Sequence, residues 1–352
     1  QDPFEYLFAF DDKGALRSIR AGKKHLAVLT EAGAVYTWGF GEFGALGLGG
    51  ATFSRIPKLV KTLSDKVVVQ IACGEYHTLA LTDKGDVYAW GRGFEGQLGI
   101  GSPHGEGIIS EGKKNKKLDP PGSNGLTSQR FLKGGYDSDG EEDDPTTKLK
   151  KNQPLYNPGH IEPYRIETAS TPRYIKSFFR NPMKYIACGA YFSLAISTEG
   201  ELYGWGENKV SQLGKERPFT VDVPMKIEVK QQKLAGYNFE DSILHMKISL
   251  RTDGTEKGNF NPNEKVKFKQ CAAGWGHTVA LSEEGDIYTW GFNIKGQLGV
   301  GDIARDGVSH GNLKSTKKKL MRPPTRLFFD MLSNPLPKFK RVACGYYTSF
   351  AI

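Results

Sequence analysis

No stretch of the 352 residues approaches the roughly 18–20 consecutive apolar residues needed to cross a bilayer as a helix, so a helical membrane span is excluded. The opening Gln1–Phe10 has no basic segment leading into a long apolar core, so no signal peptide is expected. Asn-x-Ser/Thr does not occur, and cysteine is scarce at four residues. An intracellular, reducing location with four free thiols is the expectation. There is no Walker loop, no kinase signature and no Ser-His-Asp constellation. No catalytic residue, cofactor site or metal site is therefore assigned, and the chain is not expected to be an enzyme. Nor does charge of one sign dominate: 48 Lys and Arg against 39 Asp and Glu give +9. That excess favours acidic partners without identifying one.

Glycine, by contrast, is abundant at 43 residues, which suits short strands joined by tight turns. Much of it recurs in a repeat. The segment "AGKKHLAVLTEAGAVYTWGFGEFGALGLG" from Ala21 returns as "CGEYHTLALTDKGDVYAWGRGFEGQLGIG" from Cys73. It returns again as "CGAYFSLAISTEGELYGWGENKVSQLG" from Cys188 and "AGWGHTVALSEEGDIYTWGFNIKGQLGVG" from Ala273, and "CGYYTSFAI" from Cys344 begins a fifth copy. Trp38, Trp90, Trp205 and Trp290 mark one position, at separations of 52, 115 and 85 residues. One period thus carries two insertions, placed at 102–170 and 231–262 within a single domain spanning 1–352.

The repeat decides how to read Gly39-Phe40-Gly41-Glu42-Phe43-Gly44, a literal G-x-G-x-x-G. Its copies hold Gly93, Asn208 and Asn293 at the middle position of Gly41. A phosphate loop needs Gly there, whereas Gly and Asn alternate where a turn needs the left-handed conformation. The following Leu46-Gly47-Leu48-Gly49 would also weaken the helix that a dinucleotide site requires. The loop is read as a turn.

Within a copy, His77–Thr82 reads as a buried strand, Asp83–Asp86 as a hairpin and Val87–Trp90 as a second strand. Such a unit cannot bury its faces alone and must stack on its neighbours. The pattern CGxxHTLALTxxGxVYxWGxNxxGQLGxG resembles the repeat of the regulator of chromosome condensation family. That resemblance implies an all-β propeller, with about five blades visible. The founding member has seven, so the alternative is a portion of a larger propeller. Glu5–Asp12 can be laid on Glu201–Asn208, which would let the start of the chain complete the blade begun by Val342–Ile352.

Equivalence also assigns roles. The four landmark tryptophans are expected to pack between blades. Cys73, Cys188 and Cys344 share a position with Ala21 and Ala273, which calls for a small apolar side chain. His25, His77 and His277 share one with Phe192 and Thr348, which points to structural hydrogen bonding. The two places between the repeat glycine and the histidine vary freely. They include Lys23, Lys24, Tyr76, Tyr191, Trp275, Tyr346 and Tyr347, expected to line one rim near the axis and to contact a protein partner.

The first insertion carries Lys113, Lys114, Lys116 and Lys117, then the acidic Asp137–Asp144, in which Ser138 resembles an acidophilic-kinase site. A second basic run contains Lys317, Lys318 and Lys319. The leading expectation is a protein-interaction scaffold, a subunit or adaptor in a larger assembly. The resemblance implies an alternative, guanine-nucleotide exchange on a Ran-like small GTPase. Nucleic-acid association through the basic runs is a third and weaker reading.

Overall fold

The computed structural model describes residues 15–101, 168–215, 219–229, 265–300, 321–327 and 338–352. Among the described residues the regular elements are strands and short 3-10 turns. The first blade is a meander of β1 (Leu16–Ala21), β2 (His25–Thr30), β3 (Val35–Phe40) and β4 (Phe53–Leu59). The second is β5 (Val68–Cys73), β6 (His77–Thr82), β7 (Val87–Arg92) and β8 (Thr168–Tyr174). The third is β9 (Met183–Cys188), β10 (Phe192–Ser197), β11 (Leu202–Glu207) and β12 (Thr220–Ile227). The fourth is β13 (Phe268–Ala273), β14 (His277–Ser282), β15 (Ile287–Phe292) and β16 (Met321–Arg326). A fifth sheet has two described strands, β17 (Val342–Cys344) and β18 (Ser349–Ala351). Pairing is antiparallel throughout, and the first strands of successive blades contact one another along the axis.

The protein is a β-propeller, and its strands follow from the sequence pattern. β6, β10 and β14 are buried at every residue, as expected of apolar runs covered on both faces. Thr168–Ser170, at the end of the range 102–170, open strand β8. The remainder of that range, the range 231–262, Glu5–Asp12, Ser138, Lys113–Lys117 and Lys317–Lys319 lie outside the described residues.

Among the described residues, each blade from the second onward is latched to the one before it. The indole N–H of Trp90 donates to Ala45 O at 2.9 Å, and those of Trp205 and Trp290 donate to Gln97 O and Gln212 O at 2.8 Å. These three rings are fully buried, whereas Trp38, in the first blade, is half-buried. The histidines add a second link. His77 Nε2 lies 2.9 Å from Ser193 Oγ of the next blade, and that hydroxyl donates to Gln97 O at 2.8 Å. Ser193 therefore accepts from Nε2–H, which sets the tautomer and leaves the buried Nδ1 unpaired. His277 makes the same relay through Ser349 to Gln297 O, and His25 bonds Thr78 Oγ1 at 2.9 Å. Burial holds His25 and His277 down at about 4 and His77 at about 3, so all three are neutral at physiological pH. The Cys73 and Cys344 thiols are pushed up to about 12 by burial, and all four cysteines are free.

The glycine turn differs from the expectation in one respect. The middle position is not left-handed: Gly41 has φ −95°, and neither Asn208 nor Asn293 has a positive φ. The asparagines are there for their side chains, whose Oδ1 atoms accept the N–H of Leu213 and Leu298 at 2.9 Å. The left-handed places are the first and last of the six: Gly44, Gly96, Ser211 and Gly296 have φ of +81°, +86°, +61° and +75°, and Gly206 has φ +104°, where a Cβ would meet Tyr191 O at 2.6 Å. Gly206→Ala is expected to lower stability by roughly 2–4 kcal/mol through backbone strain plus overpacking. Gly50→Ala, at φ +103° but with open space around it, should cost only the conformational part, about 1–2 kcal/mol. Urea denaturation of both variants checks the difference.

Candidate functional site

The variable pairs between the first and second strands of each blade meet at one end of the axis. Their backbones join blade to blade. Lys23 N–H donates to Glu75 O at 2.9 Å, Glu75 N–H to Ala190 O at 3.1 Å, Ala190 N–H to Gly274 O at 3.3 Å, and Trp275 N–H to Tyr346 O at 2.9 Å. The five loops thus form a continuous hydrogen-bonded girdle that holds their side chains at a common level.

At its centre stands the Glu75 carboxylate, buried at 8% exposure. It receives Lys23 Nζ at 3.2 Å from the first blade and Tyr191 OH at 2.7 Å from the third. Tyr346 OH of the fifth blade reaches it at 3.3 Å. The hydrogen bond to Glu75 raises the Lys23 ammonium above its ordinary value. Burial, then the bond to Glu75, raises the Tyr191 phenol, and burial lifts Tyr346 to about 12. Both phenols are therefore protonated donors at physiological pH, and four blades are tied through one acid.

Beside this hub the rim is aromatic. Tyr346 and Tyr347 pack edge to face at 4.7 Å, and Trp275 lies 6.3 and 6.0 Å from them, with Phe292 at 5.4 Å behind it. Tyr346 and Tyr347 remain exposed at 51% and 39%. On the other side, the Arg92 guanidinium sits 5.2 Å from the Phe43 ring, 4.8 Å from Phe94 and 5.4 Å from Tyr191, held by Glu95 at 2.6 Å. Tyr76 packs against Phe43 at 5.5 Å and lies under Lys23 Nζ at 5.6 Å.

Of the residues singled out from sequence, Lys23, Tyr76, Tyr191, Trp275, Tyr346 and Tyr347 lie in this network. Lys24 stands further out, 5.7 Å over Phe40 and 3.7 Å from Glu42. The sequence reading missed Glu75 as the hub, and it missed Arg92, Phe43 and Phe94. A signal for Arg92 existed: the residue after the repeat Trp-Gly varies as Phe40, Arg92, Glu207 and Phe292, the same irregularity that marked the loop pairs. Among the described residues, no group of three or more His, Cys, Asp or Glu side chains is placed to hold a metal, and no helix is long and apolar enough to cross a membrane.

Bladed sheets latched by Trp and His, with the irregular residues gathered on one rim, define a repeat propeller whose distinctive chemistry lies in its loops. The model of the regulator of chromosome condensation (RCC1) repeat matches residues 32–81, 84–115, 199–240 and 284–352, and the chain belongs to that family. Among curated proteins it is similar to the ultraviolet-B receptor UVR8 of Arabidopsis thaliana, at 27% identity over 81% of this chain and 55% of the receptor. It is also similar to the RCC2 homolog of Danio rerio, at 25% identity over 93% of this chain and 48% of that protein. The chain spans about half the length of these relatives. Among solved structures, human WBSCR16 aligns with a TM-score of 0.57 at 18% identity, covering 96% of this chain and 58% of that one. Prp20p of Saccharomyces cerevisiae, whose structure is described with its binding to Gsp1p and histones, aligns with a TM-score of 0.56 at 22% identity, covering 99% and 58%.

Proposed function

We propose that this chain is a protein-interaction platform whose partner is read by the rim. One observation carries the reading. Five loops from five blades are fixed in a girdle around Glu75, yet Tyr346, Tyr347 and Phe94 stay solvent-exposed on it. Rigid aromatics and a stacked arginine lose little freedom on binding and are the side chains that dominate protein interfaces. Binding here is physical, with no bond made or broken. The exposed aromatics carry no strand, so Tyr346→Ser combined with Tyr347→Ser is expected to leave the thermal midpoint within a few degrees of wild type. Quantitative affinity capture from native cells should then show partners depleted at least tenfold, and undiminished recovery with the double variant would contradict the proposal.

The family resemblance supplies a second reading, guanine-nucleotide exchange on a Ran-like small GTPase. A nucleotide-release assay separates the two. The platform reading expects no acceleration at substoichiometric protein, and acceleration would favour exchange.

A further inference from the structure

Two core places of the first blade are open to water where the other four-stranded blades cover them. Leu16 and Ile19 of β1 stand six and three residues before the repeat glycine Gly22. The next three blades hold Val68 with Ile71, Met183 with Ile186 and Phe268 with Cys271 at those places, none more than 2% exposed. Leu16 is 45% exposed and Ile19 54%. What precedes the inner strand suggests the missing cover. Val60 lies fourteen residues before Gly74, and Ile175 fourteen before Gly189. Both are fully buried, in the same core as Val68, Ile71, Met183 and Ile186. Counting back equally from Gly22 reaches Phe8, with Phe4, Tyr6, Leu7 and Phe10 around it. The seven residues Ala9–Ala15 match Lys61–Val67 and Lys176–Pro182 in number, and they include Asp11-Asp12-Lys13-Gly14, which favour a turn.

An open apolar face that directly follows an apolar stretch of chain gains by burying the one against the other. We infer that residues 4–10 fold back onto the first blade and cover its open face, with Phe8 against Leu16 and Ile19 in the place that Val60 and Ile175 take at the next two joints. Trp38 stays outside this contact, because Phe178, which packs on Trp205, has its counterpart in Asp11. The register differs from laying Glu5–Asp12 on Glu201–Asn208. It assigns the stretch to the first blade and not to the two-stranded fifth sheet. This contact is separate from the rim, and neither depends on the other.

The test is the rate at which N-ethylmaleimide modifies Ile19→Cys, read site by site by mass spectrometry. The native thiols react slowly in the background, since burial holds Cys73 and Cys344 up at about 12. In the full chain the introduced thiol is expected to react about tenfold or more slowly than after removal of residues 1–10. Phe8→Asp in the full chain repeats the release without shortening it. Ile56→Cys, 39% exposed on the outer strand of the same blade, should react at one rate in all three backgrounds. Equal rates at Ile19→Cys in the full chain, the shortened chain and Phe8→Asp would overturn the inference, as would a parallel change at Ile56→Cys. Protection that grows with protein concentration would also overturn it, by assigning the face to a second copy.

Discussion

Trp205→Ala is expected to lower the free energy of unfolding by about 3–5 kcal/mol, whereas Trp38→Ala should cost about half as much. The two tryptophans occupy one repeat position, so the contrast isolates what the preceding blade contributes. Trp205 is fully buried, packs at 5.6 Å against Phe178 and donates to Gln97 O of the second blade. Removing it leaves Gln97 O still bonded by Ser193, so the loss is chiefly the cavity and its missing contacts. Trp38 is half-buried and therefore has less to lose. Urea titrations of the two variants decide the matter; equal losses would mean that burial between blades is not what the tryptophans supply.

Acid should weaken the same joints before it reaches the carboxylates. An unfolded histidine titrates near 6.5, while the folded His25 and His277 titrate at about 4 and His77 at about 3. Between those values the unfolded chain binds a proton that the folded chain excludes. Stability is therefore fully present above the unfolded value and falls as pH drops through this window, by up to about 1.4 kcal/mol per pH unit for each histidine. From pH 6.5 to 5 the three together are worth at most about 6 kcal/mol. Glu95 and Asp286, whose carboxyls are held below the usual range by Arg92 and by Lys338 with Arg326, add their own loss only at lower pH. Denaturation midpoints between pH 7 and 5 are the measurement. Replacing His77 with phenylalanine, the residue that stands at that place as Phe192, should remove about a third of the slope, and an unchanged slope would show that the buried rings do not govern it.

The frame was legible because every blade repeats it. His77–Thr82 reads as a strand from its apolar run, and β6 occupies those residues. The roles of Trp, His and small Cys or Ala follow from their sharing one place in successive copies. The Gly/Asn position was misread because two causes produce the same alternation: left-handed backbone and a side chain accepting an N–H five residues on. The negative φ of Gly41 and the bonds from Asn208 to Leu213 and from Asn293 to Leu298 distinguish them. The Glu75 hub was not legible for a different reason. Its partners stand 52, 116 and 271 residues away, and no local pattern records which loops the closing sheets bring over the axis. The Arg92 box depends likewise on rings from three separate loops.

Hydrogen exchange on the chain, with and without a partner recovered by capture, tests the central claim most directly. Protection is expected at the loops 22–24, 74–76, 189–191, 274–276 and 345–348, together with Arg92–Glu95. Protection confined to the opposite end of the blades, with those five loops exchanging at their free rate, would contradict it.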